Sequence, residues 1–264
     1  MTRLALLALA ASLPLAASAQ SGTKDAPKPT TQQAAAMPAA PALPDTLRPG
    51  DLPIAAPQAG ETTYTVRLLA PMQQDIGTLS ETTAVDGGTV TRTAVVSVPM
   101  AGQNETTTST LDAATWATRS VTMEGSTAVG EITLADGRAT GTRGTIDQPG
   151  QALEAQPVDD AAPGAYFGGG WIDQFVRVHP LTEGASHVVM VYSPRDGVQP
   201  ARMTVLGEQA VKPAGGAAVT YVAVETDDGE QTLTHFVDPA TRRIEVVRFS
   251  PQPGVEVEFV RDAE

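Results

Sequence analysis

The sequence predicts a mainly β protein with a single, strongly curved antiparallel meander sheet. We expect an open or half barrel whose concave face is plugged by one short amphipathic helix. From about residue 61, apolar and polar residues alternate in successive segments, a pattern typical of strands with one solvated face. Hairpin-type turn residues separate these segments at roughly ten-residue spacing, with no helical pattern between them. One glycine-flanked aromatic segment, residues 166–181, interrupts this alternation and supplies the helix.

The amino-terminal residues have the features of a secretory signal peptide. Arg3 precedes an apolar stretch over residues 4–15, and Ala17-Ser18-Ala19 forms a small-residue cleavage site. The apolar stretch is shorter than the ~20 residues that a membrane-spanning helix needs. Residues 20–60 are rich in proline and alanine, which predicts a disordered tether. The predicted organisation is therefore a signal peptide (1–19), a tether (20–60) and a β domain (61–264) exported to the periplasm or the extracellular space.

Composition excludes several classes of function. The chain has no cysteine, which excludes a disulfide framework, thiolate catalysis and cysteine-ligated zinc. The formal net charge is −13, and the only lysines are Lys24, Lys28 and Lys212, which do not cluster. Nucleic acids and anionic membrane surfaces bind clustered positive charge. We therefore expect no nucleic-acid partner, and no segment after the signal peptide is apolar enough to predict a transmembrane span.

The predicted strands follow one another along the chain. The first, TTYTVRLL, places Tyr64, Val66 and Leu68 on one face. TRTAVVSVP alternates in the same way, and later segments read EITLA, HVVMVYSP, ARMTVLG, AAVTYVAVET, QTLTHFVD, RIEVVRFS and VEVEFVR. Turn sequences such as DGG, RDG and DDG lie between them. A sheet of about ten or eleven strands curls instead of staying flat, so its interior needs closure or a plug.

The aromatic segment predicts the plug. Trp171, Phe175 and Val178 recur at i, i+4 and i+7, as on one stripe of a helix. Glycines at 168–170 allow the chain to turn in, and His179, which precedes a proline, ends the helix. We expect Trp171 to be buried against the sheet; the alternative is that it forms the rim of a ligand site. The residues predicted to line a groove are Trp171, Phe175, Tyr192, Tyr221 and Phe236.

No motif for catalysis or for a bound cofactor is present. His179, His187 and His235 do not lie in a zinc-binding pattern. The sequence lacks G-x-S-x-G, and GRATGTRG at 137–144 lacks the Lys-Ser/Thr of a phosphate-binding loop and is interpreted as a turn. We predict no catalytic residue, no metal and no cofactor. An unrecognised hydrolase remains an alternative, and it would require two of the histidines to converge with a serine or a carboxylate.

Several motifs recur in an order that resembles a known family. They are IGTL as a turn, LDAATWATRSVTMEG, WIDQFVRVHPLTEG, MTVLGEQAVKPAGG and THFVDPATRRIEVVRF, spread over residues 61–262. In this order they resemble an exported bacterial β-protein family, catalogued as the domain of unknown function DUF3108. Departures are His179, where leucine is usual, and Trp116, where an aliphatic residue is usual. The resemblance implies no catalytic residues, and it implies an architecture similar to the half-barrels of periplasmic lipoprotein carriers.

These observations predict an exported, non-enzymatic binding or carrier-like module of the bacterial envelope, with an apolar or lipidic ligand in the groove. The alternative is a structural or interaction protein of the envelope that binds partners through its sheet edges. The volume of the cavity separates the two hypotheses, because a solidly filled interior favours the second.

Overall fold

The computed structural model describes residues 46–51, 55–146, 153–213, 216–229 and 231–263. Over these residues the protein is mainly β, with one sheet of 15 strands and one α-helix of eight residues. This confirms the predicted fold class. The helix is α1 (Trp171–Val178). The strands are β1 (Thr46–Leu47), β2 (Gly60–Ala70), β3 (Gln74–Asp86), β4 (Thr89–Val98), β5 (Gln103–Asp112), β6 (Thr118–Gly125), β7 (Ala128–Ala135), β8 (Arg138–Thr145), β9 (Gln156–Ala161), β10 (Ser186–Ser193), β11 (Gly197–Val211), β12 (Val219–Asp227), β13 (Thr232–Val237), β14 (Ile244–Gln252) and β15 (Val255–Arg261).

The sheet consists of two meanders joined side by side. Strands β2 to β9 pair in sequence, and so do β10 to β15; the two series meet where β15 pairs antiparallel with β2. Among the pairings between described strands, only that of β1 with β10 is parallel; an isolated bridge from Phe167 to Val191 of β10 is parallel as well. The sheet does not close into a barrel. Because β9 and β10 lie near opposite ends of the strand order, the chain between them must cross the sheet, and α1 lies on that crossing.

Alternation explains which face of each strand is buried. In β2, Tyr64, Val66 and Leu68 are at most 3% exposed, as predicted, while their neighbours are partly exposed. These side chains belong to the main apolar cluster, which also contains Ile172, Phe175 and Val176 of α1. The face covered by α1 is therefore the core-forming, concave face.

Two smaller apolar clusters lie apart from the main core. The first is formed by β6 to β9 together with Tyr166 and Tyr192. The second contains Tyr221 and Phe236 and lies on the opposite face of β12 and β13, since the adjacent Val222 and Val237 belong to the main cluster. Parts of both faces of the sheet are thus apolar, whereas the sequence predicts strands with one apolar and one solvated face.

The number of strands is higher than the ten or eleven predicted, because several strands lack an apolar alternation. In β5, three of the buried residues are Gln103, Glu105 and Ser109. The IGTL sequence, predicted as a turn, lies inside β3, where Gly77 faces Ser97 of β4 so closely that a Cβ would be 2.0 Å from the Ser97 carbonyl oxygen. GRATGTRG, also predicted as a turn, mostly forms β8. Polar and glycine-rich strands carry no periodic hydrophobic signal.

The folded part begins earlier than predicted. Thr46 and Leu47, assigned to the tether, form β1 on the edge of β10, and Leu47 is fully buried in the main cluster. β1 consists of two residues, of which only Leu47 is apolar. So short a strand shows no alternation of apolar and polar residues that could be recognised within a proline-rich segment. The predicted signal peptide and the tether up to residue 45 lie outside the described residues. No helix in the described ranges is both long and apolar enough to cross a membrane.

Candidate functional site

The glycine segment before α1 lies directly on the concave face. Gly170 caps the helix with a left-handed backbone (φ 78°). A Cβ on Gly170 would lie 2.3 Å from the guanidinium carbon of Arg92, and one on Gly168 would lie 2.6 Å from the Thr118 hydroxyl. The left-handed backbone favours glycine at Gly170, and a side chain at either position would have to displace Arg92, Thr118 or Leu111 from the concave face.

Arg92 links the helix to the sheet through a buried ion cluster. Its Nη2 atom lies 2.6 Å from Glu81 Oε1 on β3 and 3.5 Å from Asp173 Oδ2 in the first turn of α1. The side chains of Arg92 and Glu81 are 9% and 10% exposed. Arg92 occupies the same face of β4 as Val96 and Val98, which are both buried. An arginine in that position needs anionic partners, since an unpaired charge in a core is strongly destabilising.

The cluster shifts the pKa values of its members. Burial disfavours the charged guanidinium of Arg92, but Glu81 and Asp173 outweigh burial and raise its pKa. Burial, and then the negative charge of Glu81, raise the pKa of Asp173 above its usual value of 3.8. Burial also raises the pKa of the Tyr64 hydroxyl beyond its usual range, and Asp173 adds to that shift. The cluster thus holds Arg92 charged and makes Asp173 harder to ionise than an isolated aspartate.

Asp173→Asn is expected to change the pH dependence of stability. Because the pKa of Asp173 is raised in the folded state, its contribution is fully present below pH 3.8 and is lost as pH rises through the folded pKa. The variant lacks this loss. The difference between its free energy of unfolding and that of the wild type should therefore shift in favour of the variant as pH rises from about 4 to 7. Urea unfolding at several pH values measures the difference.

Asp112→Asn is a control for which the change of stability with pH should run in the opposite direction. A hydrogen bond from Arg119 lowers the pKa of Asp112, so its contribution is present at neutral pH and is lost as pH falls through the folded pKa. The wild type should exceed this variant in stability at pH 7, and the difference should shrink in acid. If both variants show the same trend with pH, the assignment for Asp173 is wrong.

A cavity of about 160 Å³ lies between the concave face and the segment 167–173. It is lined on one side by β3 to β6 and on the other by β10 to β13 with β15. Its apolar walls are Leu79, Ala94, Val96, Val121, Phe167, Trp171, Ile172, Val191, Ala201, Leu233 and Phe259. Arg92, Glu81 and Asp173 line the same cavity. The interior under α1 is therefore not solidly filled.

A buried polar pair forms another part of the wall. His235 on β13 is 2% exposed, and its Nε2 atom lies 2.9 Å from the hydroxyl of Thr226 on the neighbouring β12. Burial lowers the pKa of His235 to about 3, so the imidazole is neutral at ordinary pH. Tyr192, also in the wall, is 4% exposed, and burial raises the pKa of its hydroxyl. Both groups present uncharged polar atoms beside the apolar surface.

The structure brings together only some of the residues predicted to line the groove. Trp171 and Tyr192 line the cavity, and Phe175 packs in the main cluster beneath the helix without lining it. Tyr221 and Phe236 do not reach the cavity, because they lie in the separate cluster on the opposite face of the sheet. Period-two alternation explains the error: Phe236 follows His235, which lines the cavity, so the two side chains must point to opposite faces.

Trp171 is half-buried: it packs against the main cluster, as expected of a plug, and it also lines the cavity, as the rim alternative requires. Its indole lies against Phe167 and Phe175, with ring centroids 6.0 and 6.3 Å apart, and forms part of the cavity wall. The helical residues that are buried are Ile172, Gln174, Phe175 and Val176, whereas Val178 is 40% exposed. The buried apolar face of the helix is therefore rotated about the helix axis relative to the prediction. Ile172, and not Trp171, is the residue of the first turn that is fully packed against the sheet.

The three histidines do not converge at one place. His179 and His187 lie on the ring of Phe175, at centroid distances of 4.2 and 5.7 Å, whereas His235 bonds Thr226 in the cavity wall. Within the described residues, no group of three or more histidine, aspartate or glutamate side chains is arranged to hold a metal ion.

Sequence reasoning missed Arg92, Glu81, Asp173 and Thr226. A signal existed for Arg92, which alternates in phase with Ala94 and Val96 on the apolar face of its strand. A charged residue in phase with buried ones predicts a buried ion pair. Nothing comparable marks Thr226, because threonine is common on exposed strand faces.

A comparison with models of known protein families places the chain in one of them. The model of a family described as "Protein of unknown function (DUF3108)" matches residues 59–258, which is more than half of the chain. No curated protein and no solved structure matches.

Proposed function

We propose a non-enzymatic binding function for this chain, which belongs to the DUF3108 family. The protein is exported through the leader at residues 1–19 and acts in the bacterial envelope as a carrier-like module. Its ligand is apolar or lipidic and is held between the concave face and the segment 167–173. The observation that carries the proposal is the cavity of about 160 Å³ with largely apolar walls beneath α1.

The size of the cavity limits what it can enclose. An apolar cavity of about 150 Å³ in another protein stays dry and binds benzene. A cavity of about 160 Å³ therefore suits one ring or the end of a lipid chain. A half-barrel around an apolar cavity is also the architecture of the periplasmic lipoprotein carriers that this family resembles, and this analogy supports the proposal at the level of the fold.

The edges of the sheet favour binding in the cavity over the alternative of partner binding at a strand edge. β9 is the last strand in the described order and carries Pro157, Asp159 and Asp160. Proline and charged side chains on an edge strand hinder pairing with another chain. The other end of the order is β1, which has only two residues.

Toluene, an uncharged single ring, tests the proposal. We expect it to bind the purified protein and to raise its melting temperature, since a ligand that binds only the folded state stabilises it. Ala201→Leu adds apolar volume to the cavity wall and should lower the affinity at least about tenfold. Ala201 lines the cavity on β11, whereas Ala210 on the same strand is exposed. Ala210→Leu is thus the matched control and should bind like the wild type. Calorimetric titration measures all three proteins.

Two results would contradict the proposal. One is the absence of toluene binding to a folded wild type at concentrations near the solubility limit. The other is an equal loss of affinity in the two leucine variants, which would place the binding site outside the cavity.

A further inference from the structure

The cavity wall has twice as many carboxylates as guanidinium groups. Its acidic and basic side chains are Glu81, Asp173, Asp227, Asp228, Arg92 and Arg195. The other ionisable groups of the wall, His235 and Tyr192, are uncharged near neutral pH, because burial lowers the pKa of the imidazole and raises that of the hydroxyl. An excess of negative charge in a cleft repels an anionic ligand and attracts a cation.

Asp173 is the carboxylate of the Arg92 cluster that is most accessible to a ligand. Its side chain is 25% exposed, whereas those of Arg92 and Glu81 are 9% and 10% exposed. Arg92 Nη2 lies 2.6 Å from Glu81 but 3.5 Å from Asp173, which is longer than an ordinary hydrogen bond. Arg177, one turn further along α1, donates to Gln58 instead. One guanidinium thus serves two carboxylates, and the accessible one is the less well paired.

Aromatic rings adjoin this carboxylate in the cavity wall. Trp171 lies two residues before Asp173 at the start of α1, and its indole packs on Phe167 with ring centroids 6.0 Å apart. Both rings line the cavity together with Asp173. Aromatic faces attract a cation and also bury the apolar body that carries it. The wall therefore combines a negative group and apolar surface within one cavity of about 160 Å³.

We infer that the ligand of this cavity is an amphiphilic amine whose ammonium group binds the carboxylate of Asp173 while its apolar part lies against Trp171 and Phe167. An ammonium has three donors and forms a charge-assisted hydrogen bond with a carboxylate. A second, anionic group on the ligand, such as a phosphate, would meet the acidic wall, so the ammonium is its only charge. The inference rests on the proposed binding function and adds the chemistry of the head group.

Four probes of similar size separate the head groups: toluene, benzyl alcohol, benzoate and benzylammonium. At pH 8 we expect benzylammonium to bind the wild type at least about tenfold more tightly than toluene or benzyl alcohol, and benzoate to bind most weakly. Calorimetric titration gives the four affinities.

The preference for benzylammonium should fade as pH falls. Burial, and then Glu81, raise the pKa of Asp173, which takes up a proton in acid and loses the charge that attracts the ammonium. The other ionisable groups around Asp173 are Glu81, Arg92, Arg177 and Tyr64. Binding of benzylammonium at a pH where Asp173 is partly protonated should release a proton, and binding of benzyl alcohol should release none. Titrations in two buffers that differ in their enthalpy of ionisation measure this release.

Asp173→Asn should remove the preference for benzylammonium while toluene still binds. Asp227→Asn is the matched control, because it removes the same charge from the same cavity wall. Asp227 is the last residue of β12, and its carboxylate accepts a hydrogen bond from the backbone of Gly229 in the following turn. This variant should keep most of the preference.

The outcomes distinguish the two proposals. Binding of toluene without a preference for benzylammonium, or with no release of a proton by benzylammonium at any pH between 4 and 8, would leave the binding function standing and overturn the role of Asp173. Equal losses of preference in Asp173→Asn and Asp227→Asn would also overturn it, because the cation would then respond to the charge of the whole wall. Failure of all four probes to bind would overturn the binding function itself.

Discussion

Arg92→Met is expected to lower the free energy of unfolding by about 3–5 kcal/mol, as breaking a buried ion pair does. Methionine fills similar space but leaves the carboxylates of Glu81 and Asp173 side by side without a cation. Glu81 is about as deeply buried as Arg92, so the little water that reaches it replaces the lost partner only in part. The first turn of α1 also loses its link to the sheet. Urea unfolding of the variant measures the loss.

Arg119→Met is the matched control for that experiment. Arg119 Nη2 lies 2.6 Å from Asp112 Oδ2, the same distance as between Arg92 and Glu81, but the Arg119 side chain is 51% exposed. An exposed ion pair contributes no more than about 1 kcal/mol, because water screens it and replaces it. Glu81→Gln added to Arg92→Met should recover part of the lost stability, since it removes one of the stranded charges. Similar losses in Arg92→Met and Arg119→Met would refute the role assigned to burial.

The fold class was predictable because it depends on a pattern that the sequence displays directly. Strands such as β2 and β15 alternate apolar residues with period two, and turn residues separate the predicted strands. β5 was not predictable in this way, since its buried positions include the polar residues Gln103 and Glu105, and the Glu105 carboxylate is satisfied by contacts that are long-range in sequence. Glu105, for example, accepts hydrogen bonds from the backbone and hydroxyl of Thr127. Such partners are distant in sequence and leave no local signal.

The candidate site was predictable only in part, for a related reason. Alternation shows which residues of a strand share a face but not which face becomes concave. Tyr221 and Phe236 are large aromatic residues in predicted strands, but both lie on the face of the sheet that is opposite the cavity. His235, one residue before Phe236, occupies the cavity wall instead. The concave face is the one that α1 covers, and α1 is held there by contacts that are remote in sequence, such as that of Asp173 with Arg92.

Phe175→Ala is expected to destabilise the protein by about 3–5 kcal/mol, as the truncation of a buried phenylalanine does. Phe175 is 5% exposed and belongs to the main cluster beneath α1. Its ring stacks on His179 at 4.2 Å and also contacts Trp171 and His187. It holds the carboxyl end of the helix against the sheet, just as the Arg92 cluster holds the amino end. Truncation would leave a void that the surrounding strands cannot close, because their positions are fixed by backbone pairing.

Trp171→Ala, four residues earlier on the same helix, should behave in the opposite way. Its indole is half-buried and lines the cavity, whereas Phe175 does not line it. We therefore expect a loss of stability below about 2 kcal/mol, together with weaker binding of toluene, since part of the apolar wall is removed. Phe175→Ala should keep its affinity for toluene under conditions where it remains folded. Thermal melts with and without toluene measure both effects. The expectation is contradicted if Trp171→Ala loses as much stability as Phe175→Ala and binds toluene like the wild type. The indole would then be a structural plug and would take no part in the binding of the ligand.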